Sequence, residues 1–206
     1  VWAVSGFLSP DYRKRFIADV SGEYYRTNED NEQGYTIGVA PRLRINDKLF
    51  VTLRMGYSTA RNDKGYVTDS IDLKNQQVII FGRRDVTNVT NTLSTRYIFN
   101  NKMSLALRVR HYWLKGLYDE FYDLQPDGQL LTSEYIGDED FSYNAFTIDM
   151  GYRWEFSPGS EISLVWKNSI DLLDQDEFDE SYLANLDRTL SSPAANSFSI
   201  RILYYN

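Results

Sequence analysis

The chain has 206 residues, 42% of them hydrophobic and 15% aromatic, which excludes bulk disorder and predicts one ordered domain. The formal charge of −7 argues against binding nucleic acid through a broad basic surface, and the lack of cysteine excludes disulfides and thiol chemistry. No apolar run approaches the roughly 18 residues of a membrane-spanning helix, but this test misses membrane strands because every second residue in them is polar. The sequence begins without Met or a signal peptide, so we expect a mature protein or a fragment.

Alternation of apolar and polar residues predicts four strands in the first part of the chain. They are Val1–Leu8, Phe16–Tyr24, Tyr35–Ile45 and Leu49–Tyr57. Ser9-Pro10-Asp11 and Asn46-Asp47 are turn signals. Pro41 has no N–H donor, which predicts a bulge or a local break in the third strand.

Between Ala60 and Thr87 the alternation blurs, and residues Gln77 to Asp85 are compatible with either a strand or a loop. Five more strands are predicted beyond this interval. They are Leu93–Phe99, Met103–Arg110, Phe146–Phe156, Ile162–Trp166 and Phe198–Tyr204. Asn100-Asn101 and Pro158-Gly159 supply turns, whereas Tyr118 to Ser142 and about Asp171 to Asn196 are predicted loops.

The strand from Phe146 to Phe156 alternates without exception and ends in aromatic residues, which is typical of a transmembrane β-barrel. Along the chain, short turns alternate with longer connections, and in outer-membrane barrels the short turns are periplasmic. The C-terminus is therefore expected in the periplasm and the long acidic loops outside. The first and last strands then run in the same direction and cannot close as antiparallel neighbours. The expected fold is all-β, an antiparallel up-and-down barrel of which residues 1–206 form one partial domain of about nine strands.

A resemblance to a known family rests on three stretches. They are residues 81–113, FGRRDVTNVTNTLSTRYIFNNKMSLALRVRHYW, then DGQL at Asp127–Leu130, then SPGSEISLVWKNS. Together they resemble the C-terminal β-barrel, of unknown function, of large Bacteroidota outer-membrane proteins that carry an N-terminal family-nine-like carbohydrate-binding domain. The resemblance implies an outer-membrane location, with the carbohydrate-binding domain and the early strands upstream, and it implies no catalytic residue. That domain has no counterpart in these residues, so sugar binding is not carried over.

The polar positions of the strands predict a lumen lining with an excess of positive charge. The basic members are Arg42, Arg44, Arg54, Arg96, Arg108, Arg110, Arg153, Lys167 and Arg201. The acidic members are Asp19, Glu23, Asp149 and Glu155. Such a lining can select anionic solutes. The alternative, to which we give more weight, is a neutralised network of ion pairs that fills the barrel or holds a plug.

The apolar positions place aromatic residues at two levels, as in the girdles that settle at membrane interfaces. Near the short turns lie Tyr97, Phe99, Trp154, Phe156 and Tyr204. Near the long connections lie Tyr24, Tyr35, Tyr57, Trp113 and Phe146. His111, the single histidine, shares this face and is expected to point toward lipid rather than to act as a ligand or base.

Three acidic clusters fall in the predicted outer loops, and we expect them to be solvated rather than to bind Ca²⁺, because none has the spacing of an EF-hand. They are Glu29, Asp30 and Glu32, then Asp138, Glu139 and Asp140, then Asp174, Asp176, Glu177, Asp179 and Glu180. No metal or cofactor is expected.

The sequence contains no GxSxG, HExxH, P-loop or dinucleotide-binding motif, so catalysis is not expected. The predicted function is a conduit or porin-like channel in the outer membrane of a Gram-negative bacterium. A membrane scaffold or anchor for a larger complex is the alternative, and a soluble β-sandwich or lipocalin-like binding protein is a third. The expected partners are outer-membrane lipid and lipopolysaccharide, with other outer-membrane or periplasmic subunits as further candidates and no nucleic acid.

Overall fold

A computed structural model describes residues 1–28, 31–71, 77–174 and 181–205 as one antiparallel β-sheet with one short helix. The strands are β1 (Trp2–Leu8), β2 (Phe16–Arg26), β3 (Gln33–Asn46), β4 (Leu49–Ile71), β5 (Gln77–Asn100), β6 (Met103–Leu124), β7 (Leu130–Thr132), β8 (Phe141–Ser157), β9 (Ser160–Asp174) and β10 (Ala195–Leu203). The helix, α1 (Tyr182–Ser191), lies between β9 and β10. The all-β prediction and the nine predicted strands are confirmed.

Each long strand pairs with its neighbours in sequence, in the order β1-β2-β3-β4-β5-β6-β8-β9-β10, while β7 pairs only with β6. In the described part of the chain β1 and β10 do not pair with each other, so the sheet is open. With nine long strands in strict antiparallel order, β1 and β10 run in the same direction. The two ends of the sheet therefore leave two free strand edges.

The alternation blurs between Ala60 and Thr87, yet residues 60–71 and 77–87 form strands. Residues 72–76 lie outside the described residues. β4 continues to Ile71 and β5 begins at Gln77, so residues Gln77 to Asp85, for which strand and loop were both open, are strand. The ladder between these strands shifts register between Ala60 and Asp63 and again between Tyr66 and Thr68. Each irregularity breaks the period-two pattern although the strand continues, which is why the sequence signal fades there.

Two other predicted loops contain regular structure. β6 extends to Leu124 and pairs with β7 inside the first, and α1 forms within the second. The helix begins at the N-cap Ser181, whose Oγ accepts a hydrogen bond from the backbone N–H of Ala184 at 3.3 Å. The predicted break in β3 is confirmed, because its ladder to β4 skips Ala40 and Pro41 without a change of register.

The register joins the predicted apolar faces of separate strands into one surface. One row of directly opposed residues is Leu43, Val51, Thr95, Leu107, Met150, Trp166 and Phe198. The row beside it, displaced by one residue, is Arg42, Thr52, Ser94, Arg108, Asp149, Lys167 and Ser197. Because adjacent residues point to opposite sides, the sheet has an apolar outer face and a polar inner face.

The turn between β8 and β9 depends on a glycine with a positive φ. Gly159 has a φ of +74°, and a Cβ there would lie 3.2 Å from Cβ of Tyr205. We expect Gly159→Ala to lower the free energy of unfolding by about 1–2 kcal/mol, the usual cost of the left-handed conformation. Urea unfolding measures this change.

Gly151→Ala is the matched control, because a Cβ at that extended position meets no atom within 4 Å. Its free energy of unfolding should be unchanged or slightly raised. An equal loss in both variants would show that the turn geometry is not the cause.

Candidate functional site

The inner face forms a concave surface with a cavity of about 600 Å³ between β4 and β9. We call this cavity the basic groove. Its polar lining consists of Thr52, Arg54, Ser94, Arg96, Arg108, Asp149 and Lys167. All of these occupy the polar positions of the strands and lie on one face of the sheet.

The backbone register places the charged residues of the basic groove in a fixed pattern. Arg108 lies opposite Ser94 on one side and Asp149 on the other, and Asp149 lies opposite Lys167. In the next row toward the short turns, Arg96 is followed by Ala106 and Gly151. These small residues leave room above the sheet, so the cations surround an open space rather than filling it.

The charges of the basic groove are not balanced. Asp149 is the one acidic residue of the lining, and its Oδ2 accepts a hydrogen bond from Nη2 of Arg110 at 2.5 Å. Within the described residues, no hydrogen bond or ion pair is formed by the side chains of Arg54, Arg96, Arg108 or Lys167. Four cations therefore face the groove beside a single carboxylate, Asp149, which is already paired with Arg110. This excess of positive charge creates a potential that attracts anions.

A second polar cluster, near the short turns, is neutralised. Oδ1 of Asp19 accepts hydrogen bonds from Ser9 Oγ at 2.9 Å and Tyr12 OH at 2.7 Å, and Nη2 of Arg42 binds Oδ2 at 2.8 Å. The guanidinium of Arg42 also lies 5.0 Å from the centre of the Tyr12 ring. Asp19 is buried, with 6% of its surface exposed. These hydrogen bonds hold the turn between β1 and β2 against the inner face.

The predicted basic set thus divides into two groups. Arg42 and Arg110 pair with Asp19 and Asp149, and Nε of Arg153 binds Oε2 of Glu161 at 2.5 Å. The other predicted lumen residues lie on the same inner face, outside these pairs. Arg44 lines a smaller recess beside Arg96, Glu155 lines another with Arg153, Glu23 lies near β1, and Arg201 lies opposite Ser163.

The aromatic residues of the outer face form two groups of ring contacts. Near the short turns, Tyr97 contacts Phe99 with ring centres 4.8 Å apart, Phe99 contacts Tyr152 and Trp154 contacts Phe156. At the other level, Trp2 contacts Tyr24 and Tyr35 contacts Tyr57. Phe146 and Tyr204 also lie on this side of the sheet, and Tyr204 is exposed.

The structure corrects the placement of His111 and Trp113. Both lie on the outer face, but only 5% and 8% of their surfaces are exposed, because Tyr182 of α1 packs against both rings. Trp113 donates through Nε1 to Ser142 Oγ at 3.0 Å. Neither side chain is open to lipid, so the prediction that His111 points toward lipid is wrong. Trp113 is likewise covered rather than available at an interface.

Beyond the apolar rows, the upper parts of β4, β5 and β6 are held together by ion pairs and rings. Arg83 binds Asp119 at 3.0 Å and Glu120 at 2.8 Å, and Arg84 binds Asp63. The hydrogen bond that the Arg83 guanidinium donates to Asp119 raises the pKa of Arg83 above its ordinary value, so this cation stays charged. The predicted loop acids are partly engaged here too, since Oε1 of Glu139 accepts a hydrogen bond from Tyr135 OH at 2.5 Å.

Several predicted loop acids, namely Glu29, Asp30, Asp176, Glu177, Asp179 and Glu180, lie outside the described residues. Of the others, Asp140 accepts a hydrogen bond from the backbone N–H of Tyr118 at 2.6 Å, and Asp174 binds Arg188. In the part of the chain that the structure covers, no three His, Asp or Glu residues come together as a metal site. Over the same residues, no helix has the length and hydrophobicity to cross a bilayer.

Sequence reasoning missed the polar residues that attach α1 to the sheet and the turn residues Ser9 and Tyr12. For α1 there was a signal. Ser142 and Asn144 occupy positions where the alternation calls for apolar residues, and YLANLDRTL has its leucines at helical spacing. For the turn there was none, because its hydrogen bonds join residues that only the folded register brings together.

Comparison with known proteins gives one assignment. Residues 1–206 match the sequence model of the family described as "Domain of unknown function (DUF5916)", and the chain belongs to that family. No curated protein matches the chain significantly.

The neutralised cluster leads to a prediction for two arginines of β3. Arg42→Ala should lower the urea midpoint of unfolding, because the buried carboxylate of Asp19 loses its cation. Arg44→Ala should leave the midpoint nearly unchanged, because Arg44 is exposed and no ion pair of its side chain is found among the described residues. Equal midpoints for the two variants would contradict a structural role for the Asp19 cluster.

Proposed function

We propose that residues 1–206 form part of a transmembrane β-barrel in the outer membrane of a Gram-negative bacterium, and that the barrel is a conduit for anionic solutes. The proposal rests on the contrast between the two faces of the sheet. One register produces a continuous exposed apolar surface outside and a concave, positively charged surface inside. A membrane barrel has an apolar outer surface and a polar interior.

The apolar outer face supports the membrane location. Large side chains on this face stay exposed on strand after strand: Val20, Ile37, Leu43, Met55, Leu164 and Ile200. A soluble β-sandwich covers such a face with a second sheet, but all strands of the described residues belong to one sheet. Apart from the region under α1, nothing in the described chain packs on this surface. Contact with lipid accounts for an apolar surface of this extent.

The lengths of the strands and the two aromatic levels fit the same location. A tilted strand of about 9–11 residues crosses a bilayer. β2 and β10 have 11 and 9 residues, whereas the edge strand β1 has 7. β4 and β5, with 23 and 24 residues, would extend well beyond the membrane on the side opposite the short turns. By the rule for outer-membrane barrels, the short turns would be periplasmic and the extensions outside.

The open edges of β1 and β10 support the view that further strands complete the barrel. A bilayer has no water to bond unpaired backbone groups, so both edges need partners there. Strands upstream in a longer protein, or from another chain, would supply them. The resemblance of the sequence adds to this proposal a Bacteroidota source and an upstream carbohydrate-binding domain.

A membrane scaffold is the second candidate, and the same two edges favour it. Two free strand edges could hold strands of another subunit, and a barrel filled in this way would not conduct. Neither candidate requires catalysis, and we propose that the chain is not an enzyme.

The membrane proposal predicts a face-dependent cost of charge on β8. Met150→Arg, on the outer face, should destabilise the intact barrel by about 2–4 kcal/mol, the cost of arginine near the middle of a bilayer. Gly151→Arg should cost much less, because that position faces open space on the inner side. Unfolding free energies measured in lipid vesicles test this.

Equal costs for the two variants in vesicles would reject lipid contact on the outer face. A protein that stays soluble and monomeric without detergent would reject it as well and would favour the soluble binding protein.

The conduit proposal predicts a change of ion selectivity. In planar bilayers, Arg96→Glu combined with Arg108→Glu should shift the zero-current potential in a salt gradient toward cation preference, because two cations of the basic groove become anions. Arg13→Glu is the control, since Arg13 is in the exposed turn and pairs with Asp11. Its potential should remain near that of the unmodified protein.

Conduction with unchanged selectivity in the double variant would remove the basic groove from the solute path. Absence of conductance in the unmodified protein, together with a stable co-purifying subunit, would favour the scaffold.

A further inference from the structure

The helix α1 is attached to the outer face of the sheet through its polar side. The amide groups of Asn144 on β8 and Asn185 on α1 exchange two hydrogen bonds, at 2.9 and 2.7 Å. Neither residue has any exposed surface. A reciprocal amide pair of this kind fixes both the position and the rotation of the helix.

Tyr182 adds a second attachment one turn earlier. Its hydroxyl accepts a hydrogen bond from Nδ2 of Asn91 at 2.8 Å and lies 3.0 Å from Nδ1 of His111. Thr189, one turn after Asn185, is also fully buried. Tyr182, Asn185 and Thr189 are spaced as one helical face, and that face is polar and covered.

The leucines of α1 lie elsewhere on its circumference. Leu183 and Leu190 are 73% and 50% exposed, and Leu186, between them, is half-buried. At about 100° per residue these three form one flank, about a quarter-turn from the buried face. The usual arrangement of a surface helix, with apolar residues inward and polar residues outward, is absent here. The leucine flank consists of Leu183, Leu186 and Leu190.

The position of α1 relates this flank to the apolar outer face. The helix contacts Asn91, His111 and Asn144 of the sheet. On each strand, the next residue on the same face toward the short turns is apolar. These apolar residues are Leu93, Val109 and Phe146. The helix therefore lies along the edge at which the apolar surface ends, on the side away from the short turns. The leucine flank is continuous with that surface.

The direction of the flank follows from handedness. α1 crosses the strands, with Tyr182 over β5 and β6 and later residues over β8 and β9. Along the rows from β4 to β9, opposed residues lie progressively farther from the short turns. For a right-handed helix crossing such a sheet in this direction, the flank 100° from the buried face turns toward the apolar rows.

We propose that α1 is an interfacial anchor whose leucine flank inserts into a lipid surface at the outer boundary of the membrane. This inference rests on the membrane location proposed above. Amphipathic helices that lie in the plane of a bilayer bury their apolar side by about 5–10 Å. In α1 the hydrogen bonds to the barrel set that depth, and Arg188, on the side opposite the leucine flank, pairs with Asp174.

Site-directed spin labelling tests the proposal in the intact protein, reconstituted in vesicles of phosphatidylcholine and phosphatidylglycerol. Residues 1–206 contain no cysteine, so single labels can be placed freely. Leu183→Cys and Leu190→Cys report on the leucine flank, and Ala184→Cys reports on the exposed opposite flank. Ile200→Cys, on the outer face of β10, reports on the membrane location itself.

The expected result is that labels at 183, 190 and 200 collide mainly with lipid-soluble oxygen, whereas the label at 184 collides mainly with an aqueous nickel chelate. The ratio of oxygen to nickel accessibility should be severalfold higher at 183 and 190 than at 184.

Nickel accessibility at 183 and 190 with oxygen accessibility at 200 would overturn the anchor and leave the membrane barrel intact. Nickel accessibility at all four positions would overturn both. Protection of 183 and 190 from both reagents would show that another polypeptide covers the leucine flank, and lipid would be the wrong occupant.

Discussion

The antiparallel register, continuous through the middle of the sheet, is the constraint on which the other features depend. Because side chains alternate, a slip of one residue between any two strands would exchange the apolar and polar faces beyond that point. The pairing of Leu107 with Met150, and of Arg108 with Asp149, shows the two faces adjacent on the same strands. The register irregularities between β4 and β5 occur above these rows, and those at Arg44, Ile98 and Glu155 lie beside the short turns. The register is therefore regular in the rows where a slip would place charged side chains on the apolar outer face.

The inner face combines the two interpretations that its composition allowed. Part of it is neutralised, as in the Arg42–Asp19 and Arg110–Asp149 pairs, and most cations of the basic groove are not. The difference follows from position. Arg96 is followed by Ala106 and Gly151, which offer no carboxylate. Arg108 and Lys167 share one neighbouring acid, Asp149, which pairs instead with Arg110. Charge counts alone do not separate these cases, but the register does.

Strand identity, order and facing could be predicted from the sequence because each depends on local alternation. The extent of β4 and β5 could not, since the bulges near Asp63 and Thr68 break the pattern while the ladder continues. Nor could the burial of His111, because it depends on contacts with Tyr182, 71 residues away, and on a helix in a segment that is acidic overall. Among the candidate site residues, the face of each was predictable and its pairing was not. Pairing depends on which neighbours the fold supplies.

The unequal lengths of the strands give the sheet a sloping upper edge. β4, β5 and β6 have 22 to 24 residues, whereas β2 and β10, toward the two ends of the sheet, have 11 and 9. The tall part carries rings close to the backbone: those of Tyr118 and Phe141 occupy the spaces where Gly82 and Gly116 would have side chains. In a closed barrel this part would stand as a stiff wall on one side of the entrance. A solute would then approach the basic groove over the lower rim, past the wall rather than along the axis.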